Sequence, residues 1–136
     1  MANGTIAFDT LTTSDSVNTG TEKSIDTSYI FNGVAKQWVD FNGSGTAAVQ
    51  DSFNTASISD EGTGDYRVNL TNAMNAASGC INTGVGQERD GTIPTDNDLY
   101  ICFVNTSQIR TNTRDSDQGS NEDSKMVCTS IMGDLA

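Results

Sequence analysis

The sequence contains no histidine, the side chain that most often acts as a general base near neutral pH. This absence excludes the Ser-His-Asp and Cys-His catalytic arrangements. Basic residues are also scarce, with seven Lys and Arg against 18 Asp and Glu, for a net charge of −11. They stand singly along the chain, so no basic stripe is present to neutralise phosphates, and we expect no nucleic-acid partner.

Cysteine is rare, and its spacing argues against disulfides and metals. The three cysteines, Cys80, Cys102 and Cys128, are an odd number, widely spaced, with no C-x-x-C pair. This pattern does not predict a disulfide framework, and without histidine no tetrahedral zinc set can be completed. We therefore expect no metal and no cofactor. Cys102 and Cys128 stand in apolar runs, and we predict that both are small core residues.

Long apolar runs are missing as well. No stretch approaches the length of a membrane span, and no apolar signal segment follows Met1, so we predict a protein made in a cytoplasm, with no membrane partner. Hydrophobic residues make up only 35% of the chain, whereas Ser, Thr and Asn make up a third of it. A thin core with one-sided strands is expected, either in a monomer or in an oligomer whose copies cover the remaining apolar surface.

What the chain does contain is β-strand patterning. Tyr66, Val68 and Leu70 alternate with polar residues, which predicts a half-buried strand. The shorter run Ala56 to Ser59 is its predicted partner, and residues 60–65 supply a turn with two glycines that can adopt positive φ. We therefore predict a β-hairpin.

A second strand is predicted from Val34 to Phe41. It carries large residues on both faces, with Val34 and Trp38 on one side and Val39 and Phe41 on the other. This pattern is typical of a central strand. Trp38 is a possible platform for stacking a sugar ring, but beside two valines we expect it in the core.

Further strands are expected toward the C-terminus. Ala47 to Phe53 has an extended pattern, in which we expect Val49 and Phe53 on one face. Leu99 to Asn105 is apolar on both faces and predicts a central strand, and Met126 to Met132 predicts a second buried one. The remaining predictions are an edge strand at 109–113 and a long contact loop at 79–98.

These patterns predict an all-β protein: an antiparallel β-sandwich, jelly-roll-like or immunoglobulin-like, over residues 33–136. Residues 1–32 are polar and are predicted to form an extended N-terminal arm that docks on its own sandwich, on a neighbouring subunit or on a larger particle. The alternative is a partly disordered N-terminus. The apolar anchors of the arm are its candidate partner-contact residues, namely Ile6, Phe8, Leu11, Ile25 and Tyr29.

The acidic segment Asp115 to Asp123 places oxygen-bearing side chains at alternate positions, as calcium-binding loops do. Gly119 stands where a further ligand is needed, so we interpret the segment as a solvated loop. Carboxylate pairs also carry glycoside hydrolysis, but no repeat of the period that builds a long β-helix is present in the sequence. We assign no catalytic, cofactor-binding or metal-ligating residue, and we expect that the protein is not an enzyme.

Several strings in the first half of the chain resemble a module of tailed-phage proteins that are usually described as tail-fibre or virion structural proteins, many from phages of aquatic bacteria. The strings are Met1 to Leu11, Val34 to Trp38, Phe41 to Thr46, Asp51 to Asn54 and Gly62 to Tyr66. Together they extend the resemblance over roughly residues 1 to 75.

The resemblance implies a structural protein on the outer surface of a tailed-phage virion, assembled in the host cytoplasm and forming a homotrimer. Because the module begins almost at the first residue, we favour a capsid decoration (cement) protein that binds and stabilises the major capsid protein lattice. The alternative is a tail-fibre or head-fibre module that recognises host-surface glycan. The resemblance brings no catalytic residue with it.

Overall fold

The computed structural model describes residues 10–12, 24–86 and 97–136. The chain divides into two compact units, Met1–Val34 and Ala35–Ala136. Two of the candidate contact residues, Ile6 and Phe8, lie outside the described residues.

The first unit contains local secondary structure where the sequence predicted an extended arm. Strand β1 (Thr10–Thr12) pairs antiparallel with β2 (Ser24–Asp26), and helix α1 (Thr27–Gly33) follows. The helix begins there because the Asp26 carboxylate accepts a hydrogen bond from the Ser28 backbone N–H at 2.8 Å and so caps the helix. Hydrogen bonds from the side chain and the backbone of Ser28 lower the pKa of Asp26. No residue of this helix is buried.

The described part of the second unit consists of eight strands in two antiparallel sheets. The strands are β3 (Ala35–Asn42), β4 (Ala48–Phe53), β5 (Thr55–Gly62), β6 (Asp65–Leu70), β7 (Cys80–Gly86), β8 (Asn97–Asn105), β9 (Gln108–Asp115) and β10 (Met126–Met132). The first sheet has the order β4-β3-β10-β7 and the second β5-β6-β9-β8. The all-β prediction is confirmed at this level.

Both sheets contribute alternate residues to one core, which makes the unit a β-sandwich. The core residues of the first sheet are Val39 and Phe41 of β3 and Val127 and Ile131 of β10; those of the second are Tyr66, Val68 and Leu70 of β6 and Ile109 of β9, with Met74 from the following loop. Phe41 and Tyr66 meet across the two sheets edge to face, with ring centroids 5.2 Å apart.

The predicted hairpin is confirmed. Strands β5 and β6 pair antiparallel, and Tyr66, Val68 and Leu70 are all buried. Gly62 and Gly64 in the turn have φ of 137° and 63°, the region that a residue without a Cβ occupies easily.

The predicted positions of two C-terminal strands are wrong. Strand β9, predicted at an edge, lies between β6 and β8 and buries Ile109, Thr111 and Thr113. Strand β8, predicted to be central, is an edge strand. The polar Thr111 and Thr113 misled the prediction, because a threonine methyl packs on a core face although the residue counts as polar.

The segment predicted as a contact loop at 79–98 contains strand β7, which pairs with β10 along its whole length. It carries few apolar residues, since it is an edge strand with only one face toward the core. The strand at Met126–Met132 is buried between β3 and β7, as predicted.

Strand β3 is an inner strand as predicted, but Trp38 is not a core residue. Val39 is buried, whereas Trp38 is 36% exposed and Val34 is 53% exposed. The core-residue prediction is also wrong for Cys102, which is exposed, and for Cys128, which is half-buried on the face of β10 opposite Val127. Trp38, Cys102 and Cys128 lie on the side of their strand that faces away from the core, and Val34 precedes β3.

Strand β4 contains a β-bulge next to β3. Its register sets Phe53 opposite Trp38 and Val49 opposite Phe41, with a shift between Asp40 and Phe41. Val49 and Phe53 therefore lie on opposite faces, and not on one face as their even spacing predicted.

Candidate functional site

The outer face of the first sheet carries two rows of side chains that cross all four strands. The first row is Phe53, Trp38, Ser130 and Asn82, in which each residue lies opposite the next in the strand register. The second row is Asp51, Asp40, Cys128 and Gly84, aligned in the same way. We call these eight residues the Trp38 face.

Aromatic area dominates one half of the Trp38 face. Trp38 is 36% exposed, and Phe53 on the edge strand beside it is 52% exposed. Their side chains lie on the same side of the sheet because they are direct cross-strand partners. Two large rings left in contact with water form an apolar patch, which is a common mark of a binding surface.

The other half of the face is a shallow cavity of about 410 Å³. Ser130, Cys128 and Gly84 form part of its floor, and Trp38 borders it. The small side chains make the surface concave, and a methyl group at Gly84 would stand 3.9 Å from the nearest atom, Cys128 Cβ. The cavity is open to solvent and lies along the exposed face of Trp38.

Polar groups line the same cavity. Asp40 borders it on β3, Ser130 on β10 and Asn82 on β7. The Cys128 thiol lies 3.7 Å from Asp40 Oδ1 and donates to it, while Asp51, on the edge strand, accepts from the Ser52 N–H at 2.8 Å. An aromatic ring with carboxylate, amide and hydroxyl groups beside it can bind a ligand that has both apolar and hydroxylated surface.

The five candidate contact residues of the N-terminal unit are only partly accounted for. Ile25 and Tyr29 are 41% and 72% exposed, in β2 and α1, and Leu11 lies opposite Ile25 in the β1–β2 register. Ile6 and Phe8 lie outside the described residues. The exposure of Ile25 and Tyr29 leaves them accessible to a partner, and their role stays a prediction.

Sequence analysis missed the Trp38 face, although one signal for it was present. Asp40 stands two residues after Trp38 and therefore on the same side of the strand. A carboxylate on that side marks it as solvent-facing, while Val39 and Phe41 mark the other side as the core. The cavity itself had no signal in the sequence, because it needs residues from three strands.

Away from the edge strand β8, the outer face of the second sheet is polar, and its charges are largely paired. Arg110 makes a two-point contact with Asp65, with Nε 2.7 Å from Oδ1, and Nη2 also donates to Oδ2. Arg67 lies 3.5 Å from Glu61, and the Arg114 guanidinium lies 5.8 Å from the Tyr100 ring centroid. These contacts stabilise the sheet surface and leave less charge available for a ligand.

The acidic segment after β9 uses its carboxylates to build a turn. Asp115 is buried, and its Oδ1 accepts from the backbone N–H groups of Asp117 and Gln118 at 2.8 and 2.9 Å. Asp123 Oδ1 accepts from the Gly64 N–H at 2.7 Å. Among the residues that the structure describes, no group of three or more acidic or thiol side chains is placed to hold a metal ion.

No helix in the described ranges is long and apolar enough to cross a lipid bilayer. In comparisons with known proteins, the chain matches no protein-family model, no curated protein and no solved structure.

Proposed function

We propose that this chain is a structural protein on the outer surface of a tailed-phage virion, and that it acts there as a capsid decoration protein that binds and stabilises the major capsid lattice. The likeness of roughly residues 1 to 75 to virion modules supports the setting. The observation that carries a binding role is the Trp38 face, where Trp38 and Phe53 stay exposed side by side on a sheet that already has a core on its other face.

Burial of these rings supplies part of the attachment energy. Covering a fully exposed large apolar side chain stabilises a contact by roughly 1.5–3 kcal/mol, and Trp38 and Phe53, which are 36% and 52% exposed, contribute the corresponding fractions of that energy. Asp40 and Asp51 stand beside the rings and select a partner with basic groups around an apolar patch. The net charge of −11 favours the same kind of partner through longer-range attraction.

Quantitative protein analysis of purified virions tests the proposal. A decoration protein is expected at a copy number comparable with that of the major capsid protein. A copy number far below it would contradict the decoration role and favour a fibre.

A Trp38→Ala variant tests the surface itself. We expect its affinity for particles that lack the protein to fall about tenfold or more, which corresponds to the loss of about 1.4 kcal/mol. Val49→Ala is the matched control, because Val49 lies on the same sheet and is 41% exposed, but is paired with Phe41 on the opposite face. Equal affinity of the two variants for these particles would show that the Trp38 face is not the attachment surface.

The second candidate is a fibre module that binds host-surface glycan, and the polar side of the cavity favours it. A sugar ring presents an apolar face for stacking on Trp38 and hydroxyl groups for Asp40, Asn82 and Ser130. Trp38 is the sole tryptophan, so its fluorescence reports directly on this site. A saturable change in that fluorescence on titration with host polysaccharide, with no binding to capsids, would favour the glycan role over decoration.

A further inference from the structure

Strand β8 has the composition of a central strand but the position of an edge strand. Six consecutive apolar residues, Leu99 to Val104, fill most of it, without a proline, a glycine or a charge. Within the described part of the chain it pairs with β9 on one side only. Its other side therefore presents backbone N–H and C=O groups over the regular stretch from Asn97 to Phe103, before the register shift between Phe103 and Asn105, a template for a further strand.

The other three edge strands carry features that discourage such pairing. Strand β4 contains Asp51, and β5 contains Asp60 and Glu61. Strand β7 is interrupted by Gly84 and Gly86. Charges and glycines on an edge oppose pairing with another chain, and β8 is the edge that lacks both along its central six residues.

Both faces of β8 suit a larger sheet. Leu99, Ile101 and Phe103 pack partly buried against the sandwich core. On the outer face, Tyr100 is 53% exposed, Val104 is 43% exposed and Cys102 is exposed as well. A strand paired with β8 would place further apolar side chains beside Leu99, Ile101 and Phe103 on the core side. It would also give Tyr100, Cys102 and Val104 apolar neighbours on the outer side.

We propose that β8 pairs antiparallel with β8 of a second copy of this chain, which joins the second sheets of two molecules into one continuous sheet of eight strands. The central part of the strand is complementary to itself. An antiparallel two-fold contact centred on Ile101 sets Leu99 opposite Phe103 and Tyr100 opposite Cys102, and one centred on Cys102 sets Ile101 opposite Phe103 and Tyr100 opposite Val104. This interface is independent of the proposed virion role. It builds a dimer in place of the predicted homotrimer.

Charge does not oppose this contact, although each chain carries −11. The single charged residue of β8 is Asp98, next to its first residue. With Ile101 at the centre, the two Asp98 residues stand six positions apart along the paired strands, or about 20 Å at the rise of an extended strand. That separation exceeds the screening length of about 8 Å at physiological ionic strength. Repulsion between the two acidic chains therefore does not prevent a second copy from pairing with the edge of β8.

Sedimentation of the purified full chain over a range of concentrations tests the proposal. We expect a reversible species of twice the chain mass of 14.4 kDa. In the Val104→Glu variant the dimer dissociation constant should rise about tenfold or more, since a charge on an edge strand opposes pairing and, with Ile101 at the centre, each glutamate stands opposite Asp98 of the other copy. Val49→Glu is the matched control, with 41% exposure against 43% and a place on the edge strand β4.

Cross-linking at Cys102 locates the interface. In a Cys80→Ser and Cys128→Ser background, the two Cys102 side chains should stand directly opposite each other or one diagonal apart, within about 8 Å. A short bismaleimide should then link two chains, whereas a variant that keeps only the exposed Cys80 should link poorly.

A monomer at all concentrations, a trimer, or a dimer that Val104→Glu and Val49→Glu weaken equally would overturn the proposal. Circular dichroism of both variants at low concentration checks that each remains folded, so that loss of the dimer is not confused with loss of the fold.

Discussion

Tyr66 joins the two sheets and two loops through a single hydroxyl group. Its oxygen lies 2.9 Å from both the Gly43 carbonyl oxygen and Asp123 Oδ1, and its ring packs edge to face on Phe41. Burial, and next the hydrogen bond to Asp123, raise the pKa of Tyr66 well above its ordinary value. The hydroxyl is therefore a fixed neutral donor that ties the loop after β3 to the segment before β10.

Replacement of Tyr66 by phenylalanine should lower the free energy of unfolding by about 1.5–3 kcal/mol, the usual range for a hydrogen bond to a charged acceptor. Denaturant unfolding measures this loss. Tyr100→Phe is the matched control: its ring is 53% exposed, and the change should cost less than about 0.5 kcal/mol. A similar loss in the two variants would contradict the joining role of the Tyr66 hydroxyl.

The ion pair between Asp65 and Arg110 predicts a pH dependence. The hydrogen bond from Arg110 lowers the pKa of Asp65 below its ordinary value. A carboxylate with a lowered folded-state pKa stabilises the fold at pH above its unfolded value, and this contribution disappears as the pH falls through the folded-state pKa. Because the Arg110 side chain is 49% exposed, solvent screens the pair, and its contribution to stability at neutral pH should be small.

A double-mutant cycle of Asp65→Asn and Arg110→Gln, followed by chemical unfolding between neutral pH and pH 2.5, measures this contribution. The coupling energy should be largest at neutral pH, remain down to about pH 4 and vanish in more acidic solution. Coupling that grows as the pH falls would have the wrong sign for this pair.

At the scale of single residues, the sequence predicted burial well where a strand has one apolar side. Tyr66, Val68 and Leu70 are buried as their alternation indicates. The prediction of burial was wrong for Trp38 and Cys102, which are exposed although both are hydrophobic. Residue type indicates a preference for the core, but among the described residues no further sheet packs against the outer face of these strands.

At the scale of elements, the turn between β5 and β6 depends on a glycine with no room for a side chain. Gly64 has φ of +63°, and an added Cβ would lie 2.3 Å from the Thr113 carbonyl oxygen and 2.7 Å from that of Glu122. These are backbone atoms of β9 and of the following segment, so they cannot move aside separately. The turn therefore sets how closely the hairpin approaches the rest of the second sheet.

Gly64→Ala should be markedly more destabilising than Gly45→Ala, which has a similar φ of +73° but open space around it. The control isolates the cost of the left-handed backbone, about 1–2 kcal/mol. The steric contact at Gly64 should add about 1–3 kcal/mol, as overpacking does in cores. Thermal unfolding compares the two variants, and equal losses would show that the contact at Gly64 relaxes freely.

The hairpin of β5 and β6 was predictable because its strands are adjacent in sequence and its turn contains two glycines. The places of β8 and β9 were not. Strand β8 is apolar on both faces yet lies at an edge, while β9 alternates with threonine and lies inside. Strand order depends on pairings between residues far apart in the chain, and local composition does not encode them.

At the scale of the whole molecule, the second unit should fold without residues 1–32, because its core residues all lie within Ala35–Ala136. We expect the truncated protein to keep its cooperative unfolding transition but to lose attachment to particles, since the deletion removes the exposed Tyr29 and Phe31. A pelleting assay with particles that lack the protein measures attachment. Tyr29→Ser in the full chain is the companion variant, and full attachment by the truncated protein would refute the docking-arm hypothesis.

The sequence by itself determined the β class, the hairpin, the lack of a histidine-dependent catalytic site and the acidic charge, because these follow from composition and local periodicity. Only the tertiary structure decided that Trp38 faces outward, that four strands align Phe53, Trp38, Ser130 and Asn82 in one row, and that β8 has an unpaired edge among the described residues. The physical reason is that both surfaces are made by long-range strand order, which decides the face that is covered and the edge that stays open.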